Sequence, residues 1–155
     1  MAGTIEDRLS ELGIKLPPVP AAQGNYVSYV VTGNLVFVAG QGALTEDGIQ
    51  YLGRVGDDVS LEDAQNSARL CAINLIAIVR AACGGDLDRV VQCVKLGGFV
   101  NCGADFTDHP KVINGASDLL VGVFGDRGRH ARFAVGAVSL PFGLSVEIDA
   151  VFEIN

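Results

Sequence analysis

One long amphipathic segment, from Ser60 to Gly85, constrains the fold of this chain more than any other part of its sequence. Ser60 followed by Asp63 predicts a capped helix start, and Gly84-Gly85 predicts the helix end. Between these signals, apolar side chains recur along one helical face: Leu61, Ala64, Ala68, Cys71, Leu75, Ile78, Val79 and Ala82. Strand patterns flank the segment on both sides, so its apolar face must pack on a sheet.

The remaining patterns are mostly strands. A second helix is predicted from near Asp108, with Pro110 in its first turn, to Gly125. The predicted strands cover residues 26–31 and 35–39 as a hairpin, 50–53, 90–101 with a bulge at Gly97-Gly98, and 133–140 and 145–154 as a last hairpin. The order β-β-β-α-β-α-β-β predicts an α+β fold with one mostly antiparallel sheet and two helices on one face. The other face has no predicted helix to cover it.

The first residues form a separate pattern. Residues 4–13 predict a short N-terminal helix, and Pro17-Pro18-Val19-Pro20 predicts an extended linker. A length of 155 residues suits one domain with a real core. We therefore predict an N-terminal helix and proline linker over residues 1–19, and a single domain over residues 20–155.

The charge and hydropathy of the chain indicate which kinds of partner, such as nucleic acids or membranes, are disfavoured. The net charge is −7, which disfavours a nucleic-acid partner. The chain is 49% hydrophobic and 19% charged, with a mean hydropathy of +0.36, but no stretch approaches the length of a membrane span. The apolar excess must therefore be buried between layers or between subunits. Charges throughout residues 1–10 predict a cytoplasmic protein without a membrane anchor.

Polar and reactive residues give few motif signals. The four cysteines lack metal-site or disulfide-framework spacing, which predicts reduced, buried thiols and no structural metal. Nucleotide-binding and nucleophile-elbow motifs are missing from the sequence. His109 and His130 lie beside predicted element ends, where solvated side chains are the ordinary outcome.

The predicted last hairpin places one arginine among acidic residues. With Phe142-Gly143 as its loop, Arg132 faces Glu153, and Val138 faces Glu147. Arg132, Glu147, Asp149 and Glu153 would then share one face, while Val135, Ala137, Val146, Ile148, Ala150, Phe152 and Ile154 would form the core face. Arg132 could form an ion pair with Glu153, or its guanidinium could hold a substrate carboxylate.

Several of these segments together resemble a known family. His130-Ala131-Arg132, Leu140-Pro141 and Val146-Glu147-Ile148 resemble the C-terminal signature of the Rid family, the YjgF-type reactive intermediate deaminases. Gly24-Asn25-Tyr26, Thr32-Gly33-Asn34-Leu35 and Val38-Ala39-Gly40-Gln41 resemble its N-terminal signature. The N-terminal helix, residues 97–101 and residues 111–117 are similar to a longer subgroup labelled as endoribonuclease L-PSP, with a chorismate mutase-like fold.

The resemblance implies a homotrimer around a central β-barrel, with a ligand site in each cleft between subunits. In the predicted hairpin, Arg132 and Glu147 lie roughly 20 Å apart along the strands, too far for both to touch one small ligand within a chain. Two chains would therefore build any site that uses both residues. The alternative is that only one of the two is functional.

The resemblance also implies a reaction and roles for residues. The reaction would be hydrolysis of an enamine or imine derived from an amino acid, giving a 2-oxo acid and ammonia, without a cofactor. Arg132 would anchor the carboxylate, Glu147 would orient water, and Tyr26 would close the pocket. Backbone amides near Gly40 and Ala134 would assist binding of this small carboxylate-bearing ligand.

Three positions depart from the family pattern. Ala39 replaces a frequent Ser, Ala104 replaces a common Asn, and Phe133 follows the arginine where a small or polar residue is usual. Phe133 would add bulk to the substrate-binding site. These changes predict either a more apolar substrate or a trimer that binds small carboxylates without turnover. The third reading, an endoribonuclease, is weakened by the acidic charge.

Overall fold

The computed structural model describes residues 4–155. It has three helices: α1 (Thr4–Glu11), α2 (Leu61–Ala82) and α3 (His109–Phe124). Its strands are β1 (Tyr29–Thr32), β2 (Leu35–Gln41), β3 (Leu44–Thr45), β4 (Gly48–Ile49), β5 (Val90–Asn101), β6 (Ala131–Ala137) and β7 (Val146–Ile154). The predicted start of α2 is confirmed, because Ser60 Oγ accepts the Asp63 N–H at 3.1 Å.

The main sheet has the strand order β1-β2-β7-β5-β6. Every neighbouring pair is antiparallel except β5 and β6, which are parallel. The predicted last hairpin is wrong, since β5 lies between β6 and β7. Helix α3 follows β5 and returns the chain to the same end of the sheet, so β6 must run parallel to β5. The antiparallel β7 then pairs on the other side of β5.

Local expectations also needed correction. The predicted strand over residues 50–53 is absent from the described chain, where β3 and β4 form a small hairpin just before it. The predicted bulge at Gly97-Gly98 is wrong, because both residues pair regularly with β6 and β7. Both positions suit glycine because neighbouring side chains occupy the space that a Cβ would fill. A Cβ on Gly97 would lie 2.8 Å from the Phe133 ring, and one on Gly98 would lie 2.7 Å from Ile113.

The core lies between the helices and one face of the sheet. The β7 residues predicted for it are confirmed: Val146, Ile148, Ala150, Phe152 and Ile154 are all buried. They meet fully buried side chains of α2 and α3 such as Leu75, Ile78, Ile113 and Leu120. Helix α1 joins the same core through Ile5 and Leu9, and Asp88 accepts the first N–H groups of α1 at 3.0 Å.

The opposite sheet face has no helix over it within residues 4–155, as predicted. It exposes large apolar side chains, among them Phe37, Phe99, Phe133 and Val135, which are 37–46% accessible. Val135 and Ala137 were predicted for the core and instead lie on this open face, because β6 follows the register of β5. Among the described helices, none is long and apolar enough to cross a membrane.

Candidate functional site

A cleft of about 640 Å³ opens where the loop before β1 meets the end of β2. The short β3–β4 hairpin and the turn before β7 complete its walls. Its lining is mainly apolar or backbone: Pro20, Ala21, Ala22, Gln23, Tyr26, Ser28, Ala39, Gly40, Gln41, Gly42, Leu44, Ile49, Pro141, Phe142, Leu144 and Glu147. Concave surfaces of this size, with a few polar groups among apolar ones, are typical of small-molecule sites.

Glu147 supplies the carboxyl group of the cleft. It is the second residue of β7, it pairs with Phe99, and it points to the open face. Burial raises the pKa of the Glu147 carboxyl, and the nearby Asp149 raises it further. A partly buried carboxyl with a raised pKa can exchange a proton nearer to neutral pH than an ordinary glutamate can.

Gly40 lies directly against this carboxyl group. A Cβ built on Gly40 would be 2.7 Å from Glu147 Oε2, so only glycine fits beside the carboxyl group without a shift. The pairing of β2 with β7 is irregular between Val38 and Gln41, which is where Gly40 sits. Ala39 and Gly40, in this irregular stretch, both line the cleft.

Tyr26 forms the outer wall of the cleft. It lies in the bend before β1, not in the predicted strand, and is 51% exposed. Its hydroxyl accepts the backbone N–H of Gln23 at 3.1 Å. Tyr26, Gly40 and Glu147 are therefore the predicted site residues that the structure brings together.

Two buried asparagine side chains donate hydrogen bonds to backbone carbonyls of the residues that line the cleft. Asn74 of α2 donates from Nδ2 to the carbonyls of Gly42 and Leu44, at 3.1 and 3.0 Å. Asn101 donates to the Leu144 carbonyl at 3.0 Å. Neither Asn74 nor Asn101 was predicted from the sequence to contribute to the site. For Asn74 a signal existed, namely an amide in the middle of an otherwise apolar helical segment.

Arg132 lies elsewhere, on the edge strand β6. It pairs with Leu96, which pairs with Ala150, so its side chain points to the helix layer and away from the face of Glu147. The prediction that Arg132 shares a face with Glu147, Asp149 and Glu153 is wrong, because it rested on the incorrect hairpin. The predicted pairing with Glu153 is also wrong, and that side chain instead accepts a hydrogen bond from Asn34.

Arg132 is bound to polar groups of α3. Nη1 donates to Ser117 Oγ at 2.9 Å, and Nη2 donates to the Pro110 carbonyl at 3.2 Å. Ser117 Oγ also lies 2.9 Å from His130 Nε2, and His130 Nδ1 lies 2.7 Å from the Gly128 carbonyl. The expectation of a solvated His130 is wrong, since its ring is partly buried within this network.

The residues beside Arg132 face in opposite directions. Phe133 lies on the open face, where its ring meets Phe99 edge-on at 5.3 Å and Lys95 Nζ at 5.8 Å. Ala134 points back to the helix layer and packs on the core. Neither these two residues nor Arg132 line the cleft around Glu147. The structure thus separates the six predicted site residues into two groups. One group lines the cleft (Tyr26, Gly40 and Glu147), and the other lies on β6 (Arg132, Phe133 and Ala134).

Asp149 is a further carboxyl group on the open face. Its position on the same face as Glu147 was predicted from the sequence, but no role was predicted for it. Burial raises its pKa, while hydrogen bonding from backbone N–H groups, that of Gly97 first, lowers it.

All four cysteines are free and buried, as predicted. Burial raises the pKa of the Cys93 thiol to about 12. No three His, Cys, Asp or Glu side chains within residues 4–155 are grouped as metal ligands.

Comparison with known proteins assigns the fold. Residues 6–149 match the family described as "YjgF/chorismate mutase-like, putative endoribonuclease". The chain is 46% identical over 155 residues to Protein TCP17 of Trypanosoma cruzi, covering 99% of this chain and 96% of the relative.

Two solved structures have the same fold. Atu1372 from Agrobacterium tumefaciens, a protein of unknown function, is 50% identical, with a TM-score of 0.91 over 97% of this chain and 92% of that one. RidA from an Antarctic Psychrobacter is 28% identical, with a TM-score of 0.61 over 88% and 91%.

Proposed function

Because the chain belongs to the YjgF/chorismate mutase-like family, we propose that it hydrolyses reactive enamines or imines derived from amino acids. Water adds to the C=N carbon, the nitrogen gains protons, and the C–N bond of the resulting carbinolamine breaks. The products are a 2-oxo acid and ammonia, so the reaction balances with water alone. A cytoplasmic location, where such intermediates arise, belongs to this proposal.

The site of this reaction is a cleft between subunits of a homotrimer. The observation that carries this proposal is the separation of Arg132 from Glu147 on opposite faces of one sheet. Strand β5 lies between β6 and β7, which places the two backbones about 10 Å apart across the sheet and about 10 Å apart along it. One chain cannot bring both side chains to one small ligand, whereas a neighbouring chain can supply the missing group.

The open face of the sheet is the surface that the neighbours cover. Its exposed Phe37, Phe99, Phe133 and Val135 are apolar, and water-exposed apolar area of this kind marks a protein interface. Three such faces, packed around an axis, form the central barrel. The apolar excess of the composition is then buried between subunits.

Each predicted residue has a task in the assembled site. Arg132 of one subunit binds the substrate carboxylate through parallel N–H groups. Glu147 of the neighbour orients the attacking water and accepts its proton, and its raised pKa makes it a stronger base than an ordinary glutamate. Tyr26 closes the cleft, and backbone amides near Gly40 and Ala134 assist binding. Phe133 limits the space beside Arg132.

A second candidate function is binding of small carboxylates without turnover. The apolar cleft walls, which include Ala39, Leu44, Ile49 and Phe142, favour this candidate because they provide few groups for proton transfer. An RNA-cleaving function draws no support from a chain of net charge −7.

The test compares imine hydrolysis by the wild type and by Arg132→Ala. An amino-acid oxidase generates the imine from leucine, and semicarbazide trapping measures how long the imine survives. We expect the wild type to shorten that lifetime and Arg132→Ala to lose at least about 100-fold in kcat/KM, as expected when a bidentate charged contact is removed.

The matched control is Arg129→Ala. Arg129 is an exposed arginine three residues earlier whose side chain pairs with Asp126 at 3.3 Å. It should retain wild-type activity. Equal activity of Arg132→Ala and wild type would contradict the proposal, while tight 2-oxo acid binding without hydrolysis would favour the second candidate.

A further inference from the structure

Behind Arg132 lies a chain of hydrogen bonds that the proposed reaction does not use. It runs from the Gly128 carbonyl through the His130 ring and the Ser117 hydroxyl to the Arg132 guanidinium. Its members come from three places: the turn before β6, helix α3 and β6 itself. All three side chains are partly buried.

The chemistry of the four groups sets the direction of every bond. A carbonyl can only accept, so His130 Nδ1 carries a hydrogen and donates to the Gly128 carbonyl. In a neutral ring Nε2 then has a free lone pair, and Ser117 donates its O–H to that atom. Arg132 can only donate, and it donates to the remaining lone pairs of Ser117 Oγ.

The environment of the ring favours the neutral form. Burial lowers the pKa of His130, the Gly128 carbonyl partly opposes this shift, and the positive charge of Arg132 lowers the pKa further. The neutral ring is the form whose Nε2 accepts from Ser117. A protonated ring would turn a second donor toward the hydroxyl that Arg132 already uses.

The guanidinium has a second anchor on the same helix. Nη2 donates to the carbonyl of Pro110 in the first turn of α3, at 3.2 Å. Two acceptors that both belong to α3 therefore set the plane of the group. A guanidinium carries more N–H groups than these two bonds use, which leaves others for a ligand.

We propose that Ser117 and His130 are positioning residues that hold the Arg132 guanidinium in place for the substrate carboxylate. This inference rests on the proposed function, which makes Arg132 the carboxylate anchor. An unrestrained arginine loses side-chain freedom when it binds, whereas one already held by Ser117 loses less. Neither residue touches the ligand, and both act through Arg132.

Calorimetric titration with pyruvate and with its uncharged amide, pyruvamide, tests the inference. Ser117→Ala should weaken pyruvate binding about tenfold or more, since it removes a hydrogen bond to a charged group, and leave pyruvamide binding unchanged. Ser117→Thr, which keeps the hydroxyl, and His130→Gln, whose side-chain oxygen can accept at the Nε2 position, should both bind pyruvate as the wild type does. Ser10→Ala, an exposed serine of α1, is the matched control.

A purely structural defect would change binding of both ligands. If Ser117→Ala weakens pyruvate and pyruvamide equally, or weakens neither, the inference is wrong while the proposed function stands. If the wild type neither binds pyruvate nor hydrolyses imines, the proposed function fails and the inference fails with it.

The ring itself gives a measurement that needs no ligand. Nitrogen-15 NMR of the wild type at neutral pH should show His130 with hydrogen on Nδ1 and none on Nε2. In Ser117→Ala, Nε2 loses its donor and its resonance should shift. An Nε2–H tautomer or an imidazolium in the wild type would overturn the inference regardless of the binding data.

Discussion

At the scale of single residues, close approach and burial decide what each polar group can do. The Glu147 carboxyl lies so close to Gly40 that a Cβ there would be 2.7 Å from Oε2, so any larger residue would shift the carboxyl group. Burial and the neighbouring Asp149 both disfavour the charged form of Glu147, so its pKa lies above the ordinary 4.5. A carboxyl group in this state lowers the stability of the folded protein when it ionises, and pKa values raised in this way are frequent at catalytic sites, as proposed for Glu147.

The raised pKa of Glu147 gives opposite predictions for activity and stability. Activity depends on the ionised form and should fall as the pH drops through the raised pKa, above the range of an ordinary glutamate. Stability changes the other way, because the folded state holds this proton more tightly than the unfolded state does. The contribution of Glu147 to stability is present below pH 4.5 and is lost as the pH rises through the raised pKa.

Glu147→Gln should therefore abolish the acid limb of the activity profile together with most activity. It should raise the melting temperature at neutral pH, with the gain vanishing below pH 4.5. Thermal denaturation across pH 4–8 measures this difference. Glu153→Gln, on the same strand, is the control, and a melting-temperature gain of equal size in both variants would contradict the assignment.

At the scale of elements, α2 does more than cover the sheet. Its buried Asn74 lies on the core side of the helix and donates to two carbonyls, that of Gly42 just after β2 and that of Leu44 at the start of β3. Both carbonyls belong to cleft-lining residues. The helix thus sets the position of the loop after β2 through two directed bonds as well as through apolar packing.

Asn74→Ala should destabilise the protein by about 2–4 kcal/mol, since it leaves two partly buried carbonyls without their donor and opens a small cavity in the place of the buried side chain. Urea denaturation measures the change. Asn66→Ala, on the exposed side of the same helix, should change stability by no more than about 0.5 kcal/mol. Equal losses in the two variants would show that the carbonyl contacts contribute nothing.

At the scale of the whole molecule, helices cover one face of the sheet, and no helix within the described residues covers the other. Phe99 and Phe133 form an edge-to-face pair on β5 and the edge strand β6 of this open face, near Asp149. Exposed apolar area of this kind is typical of a surface that packs on another protein surface, as the proposed trimer would have it.

The proposed trimer makes a direct prediction for this face. Wild-type protein should sediment at three times the mass of one chain, and Phe99→Asp should dissociate it because a charge cannot be buried unpaired between subunits. Leu12→Asp, at an exposed apolar position beside the helix layer, should remain trimeric. A monomeric wild type would contradict the trimer and the composite site together.

The pattern of residues along the chain predicted most of the helices and strands, the family and part of the cleft lining. The family resemblance predicted Tyr26, Gly40 and Glu147 as site residues, and all three line the cleft. Helical periodicity and the Ser60 cap predicted α2. These features depend on neighbours in the chain, where spacing is readable from the sequence. The same holds for the apolar alternation along β7.

The order of the strands, and with it the place of Arg132, depends on contacts between segments far apart in the sequence. Two adjacent strand patterns with a turn between them predict a hairpin, but the α3 crossover makes β6 a parallel neighbour of β5 and inserts β5 between β6 and β7. Strand pairing joins residues far apart in sequence, and its register sets which face each side chain takes. That register turned Arg132 toward Ser117 and away from Glu147.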